Sequence, residues 1–517
     1  MVPRFRSSAV FVTIALFFAM SAHAQNSSKL AETYFKKAIR ITNRAKNGVT
    51  GESWCWHASY YMGRFTTGYR AFDDTTWLDR GVQYYDAMVD LMKTGPDGYK
   101  GWIGPYIYDK SVWCDAHIGD AILFNHMLDF AVLVHDNPEL HADYSDKAQG
   151  YVRLARKHLL EKWDSRGTWY EDGPFGGYVS WDHYGDPGDY KNWTKRPDVR
   201  KSTLSLPFNK QNSMAVAALR IWRVTGEKAM REKARSIFSF MRSRFQLLDD
   251  HYVWCYWEPL GPHDIKKEAD DTRHWMAVHP YRNYQAGEIG EIVEAYHSGI
   301  VFKKTDIQRI INTNLEVMFN GSMDNPKFRN SNAALPGYKA PKRAGKRAGT
   351  LWTALNDFSE TVRKLQKARL PNGGGARDAI TRAFFKNVVL QDPVSFERDV
   401  VDDPPQSDLP QFPTHESQAM TVRCVLPSVI DRDGEAFVLC KTVTDGEVVI
   451  DVVDASGKTK IAHLSRARSN GGMDGHAGIH ILRWNGTSAE GDPIPPGNYR
   501  VRWTFGDQYR EFPVTLK

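Results

Sequence analysis

The stretch HPYRNYQAGEIGEIVEAYHSG, His279 to Gly299, decides how the rest of the chain is read. Ile289, Ile292, Val293 and Tyr296 recur at helical spacing, and Gly299 stands where a helix C-cap would. The lead-in supplies His279, Tyr281, Arg282 and Tyr284, groups able to neutralise an anion or to move a proton. Ahead of a helix N-terminus, whose unpaired N–H groups favour negative charge, such groups suit an acidic ligand. An aromatic loop packed only for stability is the equal alternative.

The same design recurs along the chain. Apolar helices open near Ser53, Val112, Asn212, Tyr284 and Thr350, each after an aromatic or polar lead-in, and most are followed by an amphipathic return helix. ESWCWHASYYMGRFTTGYRAF offers Trp54, Trp56 and His57 in its first turn. SVWCDAHIGDAILFNHMLDFAVLV offers Trp113, Asp115 and His117, and LPFNKQNSMAVAALRIWRVTGE offers Asn209 and Asn212. Between the last two, Asp164 to Leu206 reads as a long irregular section, and loops of that length inside a domain usually carry function. Helical hairpins that cannot bury a face alone predict a mainly α (α/α) toroid over residues 25–390, with the inner helices starting on one rim. An ordinary helical bundle is the alternative. On a common rim Trp54, His57, Trp113, His117, Asn212, His279 and Tyr284 would converge on one cleft.

Residues 391–418, with DPPQSDLPQFPTHE, have the composition of a linker. From 419 to 517 the period becomes two, in TVRCVL, AFVLC, GEVVIDVVD, IHILRW and YRVRWTF, which predicts a small antiparallel β-sandwich. The expected fold class is therefore multidomain, a mainly α toroid followed by a β-sandwich. At the other end, Arg4 and Arg6, the apolar run Ala9 to Met20 and Ala22-His23-Ala24 read as a signal peptide over residues 1–24, which predicts a periplasmic or secreted protein. No segment reads as a membrane span.

The formal net charge is +7, and +5 without Arg4 and Arg6, a mild excess that suits acidic partners. The basic residues gather in one loop rather than along helices, which argues against nucleic acid. Five cysteines are too few for a disulfide scaffold. Cys424 and Cys440 could pair between neighbouring strands, while Cys55, Cys114 and Cys255 read as packed thiols. No CxxC or HExxH motif is present, so neither metal nor cofactor is expected.

Two resemblances add to this reading. Ile481 to Phe505 resembles the immunoglobulin-like module of flagellar hook-capping proteins, with Trp484, Gly486, Gly491, Pro496, Gly497 and Tyr499 matching its WxG…G…PxGxY ending. From about Trp54 to Lys364 the order and spacing of residues resemble the toroidal polysaccharide lyases, particularly alginate and glucuronan lyases. That resemblance implies β-elimination on a uronic-acid polymer. Asn212, His279, Arg329 and Tyr338 occupy the order of the family's catalytic residues, and a related lyase pattern favours Tyr284 with His274 or His279. The implied chemistry is neutralisation of the uronate carboxylate by Asn and His or Arg, and removal of the C5 proton by Tyr or His.

A tyrosine base needs cationic neighbours, and Tyr338 has Lys327, Arg329, Lys339, Lys342, Arg343, Lys346 and Arg347 around it, with no acid from Lys327 to Arg347. Trp54, His57, Trp113, His117, Arg282 and Lys339 are the expected substrate-binding residues. A toroidal glycoside hydrolase is the rival. It needs two carboxyl groups, for which Asp115, Glu171, Asp172, Glu258 and Glu288 are available. A non-catalytic polysaccharide-binding protein is the third reading.

Overall fold

The computed structural model describes residues 26–45, 50–95, 97–105, 113–182, 200–248, 250–265, 283–329, 332, 349–391, 394, 420–442, 445–470 and 479–517. The chain divides into two compact units. One comprises Met1–His158, His183–Arg196 and Lys367–Pro393; the other comprises Leu159–Asp182, Pro197–Gln366 and Val394–Lys517. Elements are numbered along the chain. The expected signal peptide, and all of the expected linker except Gln391 and Val394, lie outside the described residues.

The first unit holds α1 (residues 26–38), α2 (Arg40–Ala45), α3 (Glu52–Phe72), α4 (Thr76–Val89), α5 (His117–Asp136), α6 (His141–Ala155) and, late in the chain, α13 (Ala376–Phe384). Two-residue ladders join β1 (Lys93–Thr94) to β2 (Lys100–Gly101), and β3 (Gly104–Pro105) to β4 (Trp113–Cys114). Helix α3 ends at Asp73, which takes a left-handed conformation (φ 52°) and donates its N–H to the Tyr69 carbonyl. The chain then turns back into α4, and Gly68 lets the two helices close. A Cβ there would meet the fully buried Trp77 ring at 2.3 Å.

Helix α5 packs between α3 and α6. It is apolar nearly all round and is long and apolar enough to cross a membrane, contrary to the sequence expectation that no segment is. Within the protein 83 % of that stretch is buried, as in a core helix. Arg70 grips Asp129 with two N–H donors at 2.9 and 3.1 Å, and Thr66 adds a third at 2.6 Å, tying α3 to α5.

The second unit contains α7 (Lys162–Ser165), β5 (Trp169–Asp172), β6 (Phe175–Asp182), β7 (Arg200–Ser205), α8 (Phe208–Thr225), α9 (Lys228–Ser243), β8 (Gln246–Leu248), β9 (His251–Val253), α10 (Asn283–His297), α11 (Lys304–Asn312) and α12 (Glu360–Ala368). Here the expected irregular section is corrected: β5, β6 and β7 form a three-stranded antiparallel sheet. Its glycines are packing sites, since a Cβ on Gly176 would strike Trp169 at 2.6 Å and one on Gly177 would strike Leu260 at 2.8 Å.

Helix α8 lies against both its return helix α9 and the next hairpin's α10. It stops at Gly226, whose left-handed φ of 74° lets its N–H reach the Trp222 carbonyl. A buried ion pair, Arg242 to Asp306 at 2.9 Å, joins α9 to α11, and the Tyr252 hydroxyl donates to the same carboxylate at 2.6 Å. The helix expected from Thr350 starts only at Glu360. The preceding segment is a 3₁₀ turn, Thr353–Asp357, anchored by the Trp352 N–H on Asn314 Oδ1.

The C-terminal part is all β. A three-stranded sheet orders β10 (Met420–Leu426), β12 (Ala436–Thr442) and β15 (Ile479–Trp484). A five-stranded sheet orders β11 (Val429–Ile430), β17 (Gln508–Leu516), β16 (Gly497–Phe505), β13 (Asp445–Asp454) and β14 (Lys460–Asn470). All pairs are antiparallel except β11 with β17. The sheets share one core that includes Val438, Cys440, Trp484, Val501 and Trp503. The WxG…PxGxY string proves to be turn chemistry. Trp484 plugs the core and donates to the Thr487 carbonyl, Gly486 (φ 82°) and Gly491 (φ 92°) take left-handed backbone, and Tyr499 donates to the Pro495 carbonyl.

Cys424 and Cys440 do not pair. Arg423, not Cys424, stands opposite Cys440, and the two thiols enter different clusters on the two faces of the sheet. Cys424, Leu426 and Leu439 pack on Cys255, Trp257 and Ile265 of the helical part of the same unit. Two polar ties reinforce that face. Asp172 accepts the N–H and hydroxyl of Ser428, and the buried Arg510 donates to the Phe245 carbonyl at 3.1 Å.

Candidate active site

The richest grouping of perturbed polar side chains lies where α8 meets α10. Helix α10 repeats glutamate every third residue, Glu288, Glu291 and Glu294, and each finds a different environment. Glu288 is fully buried and accepts the Trp254 indole N–H at 2.8 Å. Burial raises its pKa well above the usual carboxylate range, the indole bond opposes that rise, and the charge of Glu291 adds to it. Glu294, one turn beyond Glu291, is held by Arg220 of α8 through two bonds of 2.6 Å and is partly exposed.

Glu291 sits between these extremes. Its Oε1 is 2.7 Å from Ser213 Oγ, and that same hydroxyl is 3.0 Å from the Asn209 carbonyl. One hydroxyl proton serves only one of these oxygens, so a proton on Glu291 completes the set. Burial is the main cause that pushes Glu291 up to about 8; the Ser213 and Asn212 bonds and Arg220 lower it, and Glu294 raises it. Among the described residues, Glu291 Oε2 and Asn212 Oδ1 are buried oxygens that meet no donor, which again favours the protonated acid.

Tyr284, Gly287, Gly290 and Glu291 line the less buried side of α10. A Cβ on Gly287 or Gly290 would meet nothing within 4 Å, so the helix is uncovered at those two positions. Tyr284 is 36 % exposed, and its ring lies 5.1 Å from that of Tyr256. The Tyr256 carbonyl receives the Phe208 N–H at the start of α8, which brings the tyrosine pair to the same end of the seam. A protonated acid, an ion-paired carboxylate, cleared backbone and an aromatic platform thus occupy one helix face.

The residues singled out from sequence fare differently. Asn212 is fully buried, with its amide nitrogen 3.1 Å from Met241 Sδ and its side chain bonded to Glu291. Arg329 is exposed, in a loop whose backbone N–H binds the Met318 carbonyl. His279, Arg282, Tyr338 and Lys339 lie outside the described residues, as does His274.

In the first unit, Trp54 is buried and donates to the Ile41 carbonyl, and His57 is exposed. His117 is buried at the first residue of α5, and Trp113 is described only through its backbone in β4. Glu52, Asp115 and Asp120, all buried, lie close enough to Cys55 to raise its pKa further than burial alone does.

Of the acids considered for hydrolysis, Asp172 is engaged with Ser428, Glu258 lies buried 3.9 Å from Arg244, and Glu171 is exposed. Sequence reasoning reached Glu288 but missed Glu291 and Glu294. The every-third-residue glutamates in GEIGEIVEAYH were the available signal. Among the described residues no group of acids, histidines and cysteines has the arrangement of a metal site.

No protein-family model matches the chain, and no curated protein matches it. Among solved structures it is similar to a GH76 α-mannanase of Bacteroides thetaiotaomicron, at 9 % identity and a TM-score of 0.32, covering 65 % of this chain and 70 % of the mannanase. It also matches a DNA-bound alkylpurine DNA glycosylase of Pseudomonas fluorescens at 8 % identity and a TM-score of 0.14, over 94 % and 99 % of the two chains. Scores so low establish no common fold with either protein.

Proposed function

We propose that this protein is an exported glycan-cleaving enzyme, an (α/α) toroid that hydrolyses glycosidic bonds with Glu291 as proton donor. The observation that carries the reading is the environment of Glu291. It is a carboxyl group kept protonated near neutrality, on the same helix face as the uncovered Gly287 and Gly290, with an ion-paired carboxylate three residues on. Glycoside hydrolysis requires such a pair, one carboxyl group that gives a proton to the leaving oxygen and one that carries negative charge against the developing cation. The Tyr284–Tyr256 platform supplies a face on which a sugar ring can stack.

Elimination on a uronic-acid polymer is the second reading. The exposure of Tyr284 at the start of α10 favours it, because a lyase needs a phenol within reach of the substrate. The surroundings of Asn212 favour hydrolysis: the group beside it is the carboxyl of Glu291, an acid that can give a proton, and not a cation that would neutralise a uronate. The deciding experiment incubates the protein with a panel of neutral and uronic-acid polysaccharides. Hydrolysis yields new reducing ends without near-ultraviolet absorbance. Elimination yields an unsaturated sugar that absorbs there, and that product would overturn the hydrolase reading.

A further inference from the structure

The first unit contains a cavity of about 440 Å³ built from elements other than α8 and α10. Its lining includes Tyr34 and Lys37 of α1, His57 and Tyr60 of α3, and Arg377 and Asp378 of α13. Tyr60 is 58 % exposed, an unusual position for a large ring, while Tyr34 is buried and donates its hydroxyl to the Tyr61 carbonyl. The cavity therefore has a fixed aromatic wall at Tyr34 and an open one at Tyr60.

Its charge is unbalanced. Arg64 stands beside Tyr34 together with Arg377, and after burial the nearness of Arg377 is the largest cause that lowers the Arg64 pKa. Two guanidinium groups that repel one another gain from an anion placed between them. Among the described residues, none of Lys37, Arg64 and Arg377 has a carboxylate within ion-pair distance. The lining's one acid, Asp378, acts on Arg64 in the opposite sense, so one carboxylate stands against the three cations Lys37, Arg64 and Arg377.

We propose that this cavity binds a sugar unit carrying a carboxylate or a sulfate, with Tyr60 against the ring and Arg377 and Lys37 on the anion. A monosaccharide fits within such a volume, and stacking plus charge-assisted hydrogen bonds are how an acidic sugar is told from a neutral one. The site makes the enzyme's polymer an acidic one, whichever bond is cut and by whichever chemistry.

The test is calorimetric titration of the full chain with glucuronic acid, glucose 6-sulfate, glucose and sodium sulfate. Binding of one or both acidic sugars, with glucose and free sulfate at least roughly tenfold weaker, is the expected result. Arg377→Gln and Tyr60→Ala, both at exposed positions, should each weaken the acidic sugar by about tenfold while the far-ultraviolet circular dichroism stays unchanged. Glu291→Gln should bind as the parent does, which separates this site from the hydrolase reading. Glucose binding as tightly as glucuronic acid, sulfate alone binding as tightly as either sugar, or undiminished binding in Arg377→Gln would each overturn the proposal.

Discussion

Ser213 Oγ and Glu291 Oε1 stand 2.7 Å apart across the α8–α10 seam, 78 residues apart in sequence. That pairing places a titrating proton inside the fold, and its linkage has a definite sign. The folded pKa of about 8 lies above the ordinary glutamate value of about 4.3, so the folded protein holds a proton that the unfolded chain releases. The stabilisation is complete below the lower value and is lost as pH rises through about 8. Melting temperature should therefore fall across that window in the parent and fall less in Glu291→Gln; identical profiles would remove Glu291 as the cause.

Catalysis should follow the same proton. Glu291→Gln keeps the shape and the Ser213 contact but cannot donate, so reducing-end release should drop roughly 100- to 10,000-fold. Parent activity should decline as pH passes about 8. Glu294→Gln should also lower turnover, whereas Glu288→Gln should act mainly on stability because its carboxyl is fully buried on Trp254. Full activity in Glu291→Gln would end the assignment.

Gly287→Leu and Gly290→Leu probe the cleared face of α10. Both positions have open space in front of them, so the substitutions should leave the melting temperature within a few degrees or raise it, leucine being the better helix former by roughly 0.5–1 kcal/mol. Turnover of a polymer should fall at least about tenfold if the glycan lies there. Unchanged kinetics would place the substrate elsewhere.

Ser428→Ala removes the hydroxyl that Asp172 accepts at 2.9 Å and leaves the backbone N–H bond. A buried carboxylate that loses one of its donors should lower stability by about 1–3 kcal/mol in chemical denaturation. Paired with Asp172→Ala in a double-mutant cycle, the two losses should not add.

Thiol chemistry gives a further check. With Cys424 and Cys440 on opposite faces and all five cysteines buried, five thiols should react with a labelling reagent after denaturation without reductant, and almost none before. A protein purified from an oxidising compartment that showed three reactive thiols would contradict this arrangement.

The helical hairpins were legible because α9 writes its apolar spacing plainly and α5 is one long apolar run, and the β strands after Met420 because their period is two. The β5–β6–β7 sheet was not, because FGGYVSWD looks like loop composition. Gly176 and Gly177 are there for Trp169, Leu260 and Gln211, distant residues that no local pattern announces. Glu291 was hidden for a related reason: its proton affinity comes from burial and from partners on α8. Asn212 was read as a group facing substrate, and its position in the order of residues carried no information about the carboxyl beside it.

The bond between Asp172 and Ser428 joins residues 256 positions apart, and Arg510 reaches Phe245 across 265. During synthesis the second unit therefore waits for the strands that follow Met420. Until β10 and β12 arrive, Cys255, Trp257 and Ile265 lack the apolar partners that cover them in the finished protein. A nascent or prematurely terminated chain exposes that sticky patch for the whole interval, and contacts of such long range form slowly. The strands after Met420 are thus a timing element for assembly: the core of the second unit is covered only once they have been made, and products stopped before Met420 should be prone to aggregation or proteolysis.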